Sequence, residues 1–208
     1  MQPPHKALII VDVQNDFCKD GALEVPDADA IVPLINHLMV KFRTVVATID
    51  YHPVDHCSFA SSHPGSQVGD IIDLDGVQQQ LWPDHCIGES YGCELHGNLL
   101  NDPITTFIVK GINPAVDSYS AFRDNADTSD TGLADWLTSR GVTDVVIVGL
   151  ALEYCVKYTA LDAVSAGFDT TVLVEATRAV NVNPGDDASA IEEMRQVGIR
   201  IGSPADYL

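Results

Sequence analysis

The sequence predicts an α/β fold, one domain built on a doubly wound six-stranded parallel sheet with helices on both faces. Three observations carry this. Short β-branched runs alternate with amphipathic stretches along the chain, the pattern of βαβ units. Most of those runs are apolar nearly throughout rather than at every second position, as strands covered on both faces require. The 208 residues suffice for one substantial core and are short for two.

Taken in order, strands are expected at 6–12 (KALIIVD), 44–50 (TVVATID), 105–110 (TTFIVK), 143–149 (TDVVIVG), 170–175 (TTVLVE) and, as a short sixth, 199–201. The first helix is expected over 28–42, with Ile31, Leu34, Ile35 and Leu38 on one stripe and Asp27 as N-cap. A second covers 131–140, where Leu133, Trp136 and Leu137 share a face and Gly141 stops it. A third starts near 153 and ends before Gly167; a fourth covers 187–197 and ends before Gly198. No repeat, low-complexity tract or Ser/Gly linker interrupts this, so 1–208 reads as a single domain.

One interval breaks the rhythm. No strand is expected in 51–104, yet the stretch holds most of the histidines and three of the five cysteines. Loops of this length in compact domains are functional or disordered, and the aromatic and cysteine content argues against disorder. It reads as an insertion suited to a ligand or metal.

Composition narrows the function. Thirty acidic against 11 basic residues give a net charge of −19, a surface that repels nucleic acid and anionic membranes. The apolar runs fall well short of the roughly 20 residues of a membrane-spanning helix, and the N-terminus lacks the regions of a secretory signal. A cytoplasmic protein is expected. Its odd number of cysteines, with no evident pairing frame, reads as thiols rather than disulfides.

Active sites of open α/β sheets form outside the carboxyl ends of the strands. Three reactive side chains fall at such ends: Asp12 after the first strand, Lys110 after the third and Cys155 shortly after the fourth. Cys155 is expected in the first turn of the following helix, where the helix dipole and a nearby ammonium favour the nucleophilic thiolate. Asp12 is placed to take the thiol proton and return it to a leaving amine. Lys110 would hold thiolate and carboxylate together. Each has a plainer reading as well: a turn Asp, a solvated Lys, a small buried Cys.

The segments VDVQNDFC (11–18), DYHP (50–53), WPDHC (82–86), KG (110–111) with DSYSAF (117–122), and GLALEYCVKYTALDA (149–163) resemble, in that order, the nicotinamidase branch of the isochorismatase-like cysteine hydrolases. The likeness runs from residue 6 to about 183. It implies the isochorismatase-like, Rossmann-like three-layer sandwich and places the catalytic triad on Asp12, Lys110 and Cys155. It further implies a cis peptide between Leu150 and Ala151, with the backbone amides of Ala151 and Cys155 as oxyanion hole. Leu152 departs from the pattern, which more often has Thr there; a change of local packing is expected.

For a metal, Asp50 and His52 lie two apart after the second strand, so an extended backbone points both to one face. His85 can fold back from the long loop to complete a two-His, one-carboxylate set with positions left for water and substrate. The resemblance assigns these three as ligands of one divalent ion, zinc first, with iron and manganese open. His56, Ser58 and His63 are left as either further contacts or solvated loop residues. Cys57, Cys86 and Cys93 lack C-x-x-C spacing, which sets aside a thiolate zinc site.

Phe17, Trp82 and Tyr119 stand where relatives wall the substrate ring, although core packing would also account for them. The resemblance thus implies hydrolysis of nicotinamide to nicotinate and ammonia through a cysteine thioester, with pyrazinamide accepted too. Relatives include dimers and larger homo-oligomers as well as monomers. The alternatives are another cysteine amidohydrolase, acting on a carbamoyl or ureido compound, and a non-catalytic binding homologue. A dinucleotide-binding dehydrogenase is disfavoured because the first strand runs into VDVQNDF with no G-x-G-x-x-G turn.

Overall fold

The computed structural model describes all 208 residues. Its strands are β1 (Lys6–Val11), β2 (Thr44–Asp50), β3 (Ile71–Leu74), β4 (Val77–Gln80), β5 (Thr106–Lys110), β6 (Asp144–Leu150), β7 (Asp169–Arg178) and β8 (Arg200–Gly202). The helices are α1 (Val32–Met39), α2 (Leu133–Thr138), α3 (Lys157–Ser165) and α4 (Asp186–Gln196). None is long and apolar enough to cross a membrane.

Six strands form one sheet in the order β5-β2-β1-β6-β7-β8, and every pairing is parallel. Successive side chains of a strand point to opposite faces, and β1 shows it: Leu8 and Ile10 join one core, Ala7 and Ile9 the other. α1 covers the first face with Ile35, Leu38 and Met39. The second face is covered from α2, α3 and α4 by Leu133, Leu137, Ala160, Ala163 and Met194. The chain winds outward from β1 in one direction and from β6 in the other, so the winding reverses between these two central strands. A crevice outside their carboxyl ends is the natural ligand site.

Gly149 keeps that crevice in register. It adopts φ +113°, and a Cβ there would meet the Val11 carbonyl oxygen in the neighbouring strand. Gly149→Ala is expected to cost about 3 kcal/mol or more from strain and overpacking, read as a lowered urea midpoint with unchanged slope.

Three expectations are corrected. The first helix is shorter than 28–42: a 3₁₀ turn spans Ala28–Ile31 and the α-helix starts at Val32, with Pro33 in its first turn. Proline is suited to that position because it lacks the N–H a helix start would leave unpaired. Asp27 is left-handed at φ 57° and makes no side-chain cap. The third helix begins at Lys157; residues 152–156 form an irregular turn kinked at Tyr154 (φ −114°, ψ −105°). Finally, 51–104 does contain strands: β3 and β4 pair antiparallel around Asp75–Gly76, both at positive φ, as an Asp-Gly hairpin turn requires.

Candidate active site

The parallel register brings the strand-end residues together. Asp50 and Lys110 are direct partners across β2 and β5, and Asp12 follows Val11, the partner of Gly149. Asp12 is fully buried, and the side chain of Lys110 has no solvent exposure. The Lys110 ammonium lies 2.9 Å from Asp12 Oδ2, donates to Asp50 Oδ1 at 3.0 Å and to the Ser118 carbonyl at 2.9 Å, and reaches Cys155 Sγ at 3.6 Å. Lysine is thus shared by both carboxylates and the thiol. Thr48 fixes Asp12 from two sides, accepting from its backbone N–H at 2.9 Å and donating to its Oδ1.

Burial pushes the Asp12 carboxyl up; Lys110 pulls it back only in part. Lys110 itself is held well above its ordinary value, the two carboxylates outweighing its burial. Burial also carries the Cys155 thiol well above its usual range despite Lys110. This revises the thiolate expectation. Cys155 lies in the kinked turn ahead of α3, where its burial favours the thiol. A thiol needs a base before it can attack, and Asp12 shares the Lys110 ammonium with it. The Leu150–Ala151 peptide is cis.

A second cluster adjoins the first through Asp50. His52 Nε2 lies 3.0 Å and His85 Nε2 3.6 Å from Asp50 Oδ2, and all three residues are buried. Each imidazole is held by its other nitrogen: His52 Nδ1–H donates to the Gly111 carbonyl at 2.9 Å, and His85 Nδ1–H to the Pro83 carbonyl at 2.8 Å. That tautomer frees both Nε2 atoms as ligands, the usual arrangement around a metal. Burial alone would lower the His52 imidazole, but the Asp50 carboxylate overrides it and pushes it up to about 9. Two imidazoles and a carboxylate within reach of one point fit a divalent cation.

The other loop histidines differ. His56 is fully buried, not solvated, and stacks 4.0 Å from His52. Its Nδ1 accepts from the Ser58 backbone N–H at 3.3 Å and lies 2.8 Å from Ser58 Oγ, while its Nε2 has no partner. Burial and the neighbouring His52 lower it to about 4, so it stays neutral. His63 donates through Nε2 to the Cys57 carbonyl at 2.8 Å. All five cysteines are free thiols.

The pocket over these groups is walled by Phe17, Leu23, Trp82, Tyr119, Tyr154 and Val180, with Asp50, His85, Asp117, Ala151 and Cys155 among its polar and reactive lining. It therefore contains Phe17, Trp82 and Tyr119, as the sequence suggested. Tyr154, Val180 and Asp117 were not anticipated. Nor was Gln14, whose amide accepts from Asp50 N–H and donates to the carbonyls of Asp50 and Cys93, each at 2.8 Å.

A cysteine, a carboxylate and a lysine meet at the ends of a doubly wound sheet, beside a buried two-His, one-carboxylate cluster compatible with a divalent metal, an arrangement suited to an amidohydrolase. The isochorismatase domain matches residues 6–206, and the chain belongs to that family. Within it the chain stands among the nicotinamidases. It is 43% identical to the nicotinamidase of Escherichia coli (strain K12), covering 98% of this chain and 97% of that protein. The solved nicotinamidase/pyrazinamidase of Acinetobacter baumanii superposes with a TM-score of 0.98 at 43% identity, covering 100% of both chains. The pyrazinamidase of Pyrococcus horikoshii, solved in complex with zinc, gives a TM-score of 0.78 at 37% identity over 96% of this chain and 99% of that one.

Proposed function

We propose that this protein hydrolyses nicotinamide to nicotinate and ammonia, and takes pyrazinamide by the same route. The observation that carries this reading is the single ammonium of Lys110, which joins the Cys155 thiol and Asp12 to the Asp50–His52–His85 cluster beneath one aromatic pocket. Relatives named for nicotinamide and pyrazinamide hydrolysis support the choice of amide.

In the proposed chemistry, Cys155 Sγ attacks the carboxamide carbon as Asp12 takes the thiol proton. The resulting oxyanion is received by the backbone N–H groups of Ala151 and Cys155. Asp12 then passes its proton to the departing nitrogen, releasing ammonia and leaving a thioester. Water attacks that carbonyl with Asp12 as base, and the proton returns to sulfur as nicotinate leaves. The raised Asp12 carboxyl suits a group that must both take and give a proton. Phe17, Trp82 and Tyr119 hold the pyridine ring. Asp50, His52 and His85 would hold one divalent ion, zinc first, as in the zinc-bound pyrazinamidase of Pyrococcus horikoshii, with iron and manganese also compatible with these donors. Such an ion supplies a Lewis-acidic contact for the ring nitrogen and so orients the carboxamide toward sulfur.

Metal-replete protein should release ammonia from nicotinamide, and Cys155→Ala should lower that rate by on the order of 10³-fold or more. Turnover of a carbamoyl or ureido compound, with none of nicotinamide, would move the assignment to another amidase of the family.

A further inference from the structure

The hairpin of β3 and β4 is separate from the main sheet, yet its last two residues reach the pocket wall. Gln79 is 1% exposed; its amide donates to Asp117 Oδ2 at 3.0 Å and to the Tyr119 hydroxyl at 3.4 Å. Tyr119 in turn accepts from the Trp82 indole N–H at 3.1 Å. Gln80 Oε1 accepts from the Tyr154 hydroxyl at 3.1 Å, and Tyr154 packs edge-on against Trp82 with centroids 4.8 Å apart. Asp117, Tyr119, Trp82 and Tyr154 all line the pocket; neither glutamine does. Two adjacent amides thus hold three wall residues directly, and through them a fourth, Trp82.

We infer that Gln79 and Gln80 are positioning residues that set the shape of the amide-binding pocket and hence which ring amides it admits. The inference rests on the nicotinamide reading given above. An aromatic wall is sequence-tolerant in what it contacts, so its selectivity depends on ring placement, and here the hydroxyls and the carboxylate are the handles by which the rings are placed. Both glutamines act through neighbours and touch none of the reacting atoms, so their loss should weaken substrate binding while leaving the chemical step.

The two positions separate by charge. Glu at 80 still accepts from Tyr154, whereas Leu does not. Glu at 79 sets a carboxylate against Asp117 and loses every bond the amide donates, to Asp117, Tyr119 and the Gln80 carbonyl. Steady-state kinetics on nicotinamide with Gln80→Glu, Gln80→Leu, Gln79→Leu and Gln79→Glu should give KM within about twofold of wild type for the first. It should rise roughly tenfold for the two Leu variants, as loss of a hydrogen bond predicts, and most for Gln79→Glu, with kcat held within about threefold throughout. Emission from Trp82 in a Trp136→Phe background reads the wall without any substrate. It should shift in both Leu variants and in Gln79→Glu, and stay in place in Gln80→Glu.

Equal KM across the four variants, or parallel falls in kcat and thermal midpoint with no KM change, would overturn the positioning role. A wild type that fails to turn over nicotinamide would instead defeat the substrate reading. In that case the Trp82 emission decides the inference: the stated pattern supports the wall-setting role and an unmoved spectrum in all four refutes it.

Discussion

Lys110→Met abolishes amide hydrolysis and destabilises the fold by about 3–5 kcal/mol, the range for removing one partner from a buried ion cluster. The side chain has no solvent exposure and is the cation shared by Asp12 and Asp50. Methionine matches its length but leaves two buried carboxylates facing each other. Asp12 is already raised by burial in the native protein, with Lys110 as the largest influence lowering it. Without that influence it rises further and stays protonated, unable to take the Cys155 proton. The direction with pH follows. A carboxyl whose folded value lies above its unfolded one favours unfolding when ionised, and that penalty disappears as pH falls through the folded value. The stability gap between wild type and Lys110→Met should therefore narrow on acidification. Urea unfolding at pH 8 and pH 5, beside an ammonia assay, checks both parts. A variant retaining a tenth of wild-type turnover, or a gap that widens at pH 5, would contradict this account of Lys110.

Much of this site was legible because parallel strands end at one edge of the sheet. Asp12, Asp50, Lys110 and the turn bearing Cys155 all follow apolar runs, so their meeting needed only the runs to be placed. Thr48 is readable by the same logic, since it precedes Asp50 by two residues and shares its face of β2. What escaped depends on partners remote in sequence. Gln14 lies inside a recognisable block, but its role comes from Asp50 and Cys93. Lys110 was read as serving the thiol and Asp12; its bond to Asp50 follows from strand register, which the sequence does not state. The hairpin escapes a sequence reading because IIDL and VQQQ are only four residues each and neither alternates cleanly, although Asp75–Gly76 carries a turn signal. The thiol–thiolate reversal has a similar source. The helix start and the strand-end ammonium are visible in sequence, whereas the burial of Cys155 is a property of the assembled core.

The second large effect concerns the histidines, and tautomers decide it. His52 and His85 each give Nδ1–H to a backbone carbonyl, which turns Nε2 of both rings toward Asp50 Oδ2. Two other clusters have the right residue types: Cys18, Asp29 and His96, and His52, His56 and Asp117. In the first, His96 Nδ1 accepts from the Asn98 N–H at 3.2 Å, so Nε2 carries the proton given to Asp29. A cation at Nε2 would forfeit that bond. His56 Nδ1 likewise accepts from the Ser58 N–H, which puts its proton on Nε2. Only the Asp50 cluster offers prepared nitrogens. Losing even an outer-sphere partner of a metal costs 10–100-fold in affinity as a general magnitude, and losing a ligand costs more. Zinc titrated against a competing chromophoric chelator should bind at one equivalent to wild type. It should weaken by roughly a hundredfold or more in His52→Ala and His85→Ala, by under about tenfold in His56→Ala, and not at all in His96→Ala. Turnover of nicotinamide should follow the same ranking. Zinc lost from His96→Ala, or retained at full affinity by His85→Ala, would move the metal away from Asp50, and the orientation of the substrate ring would need another source.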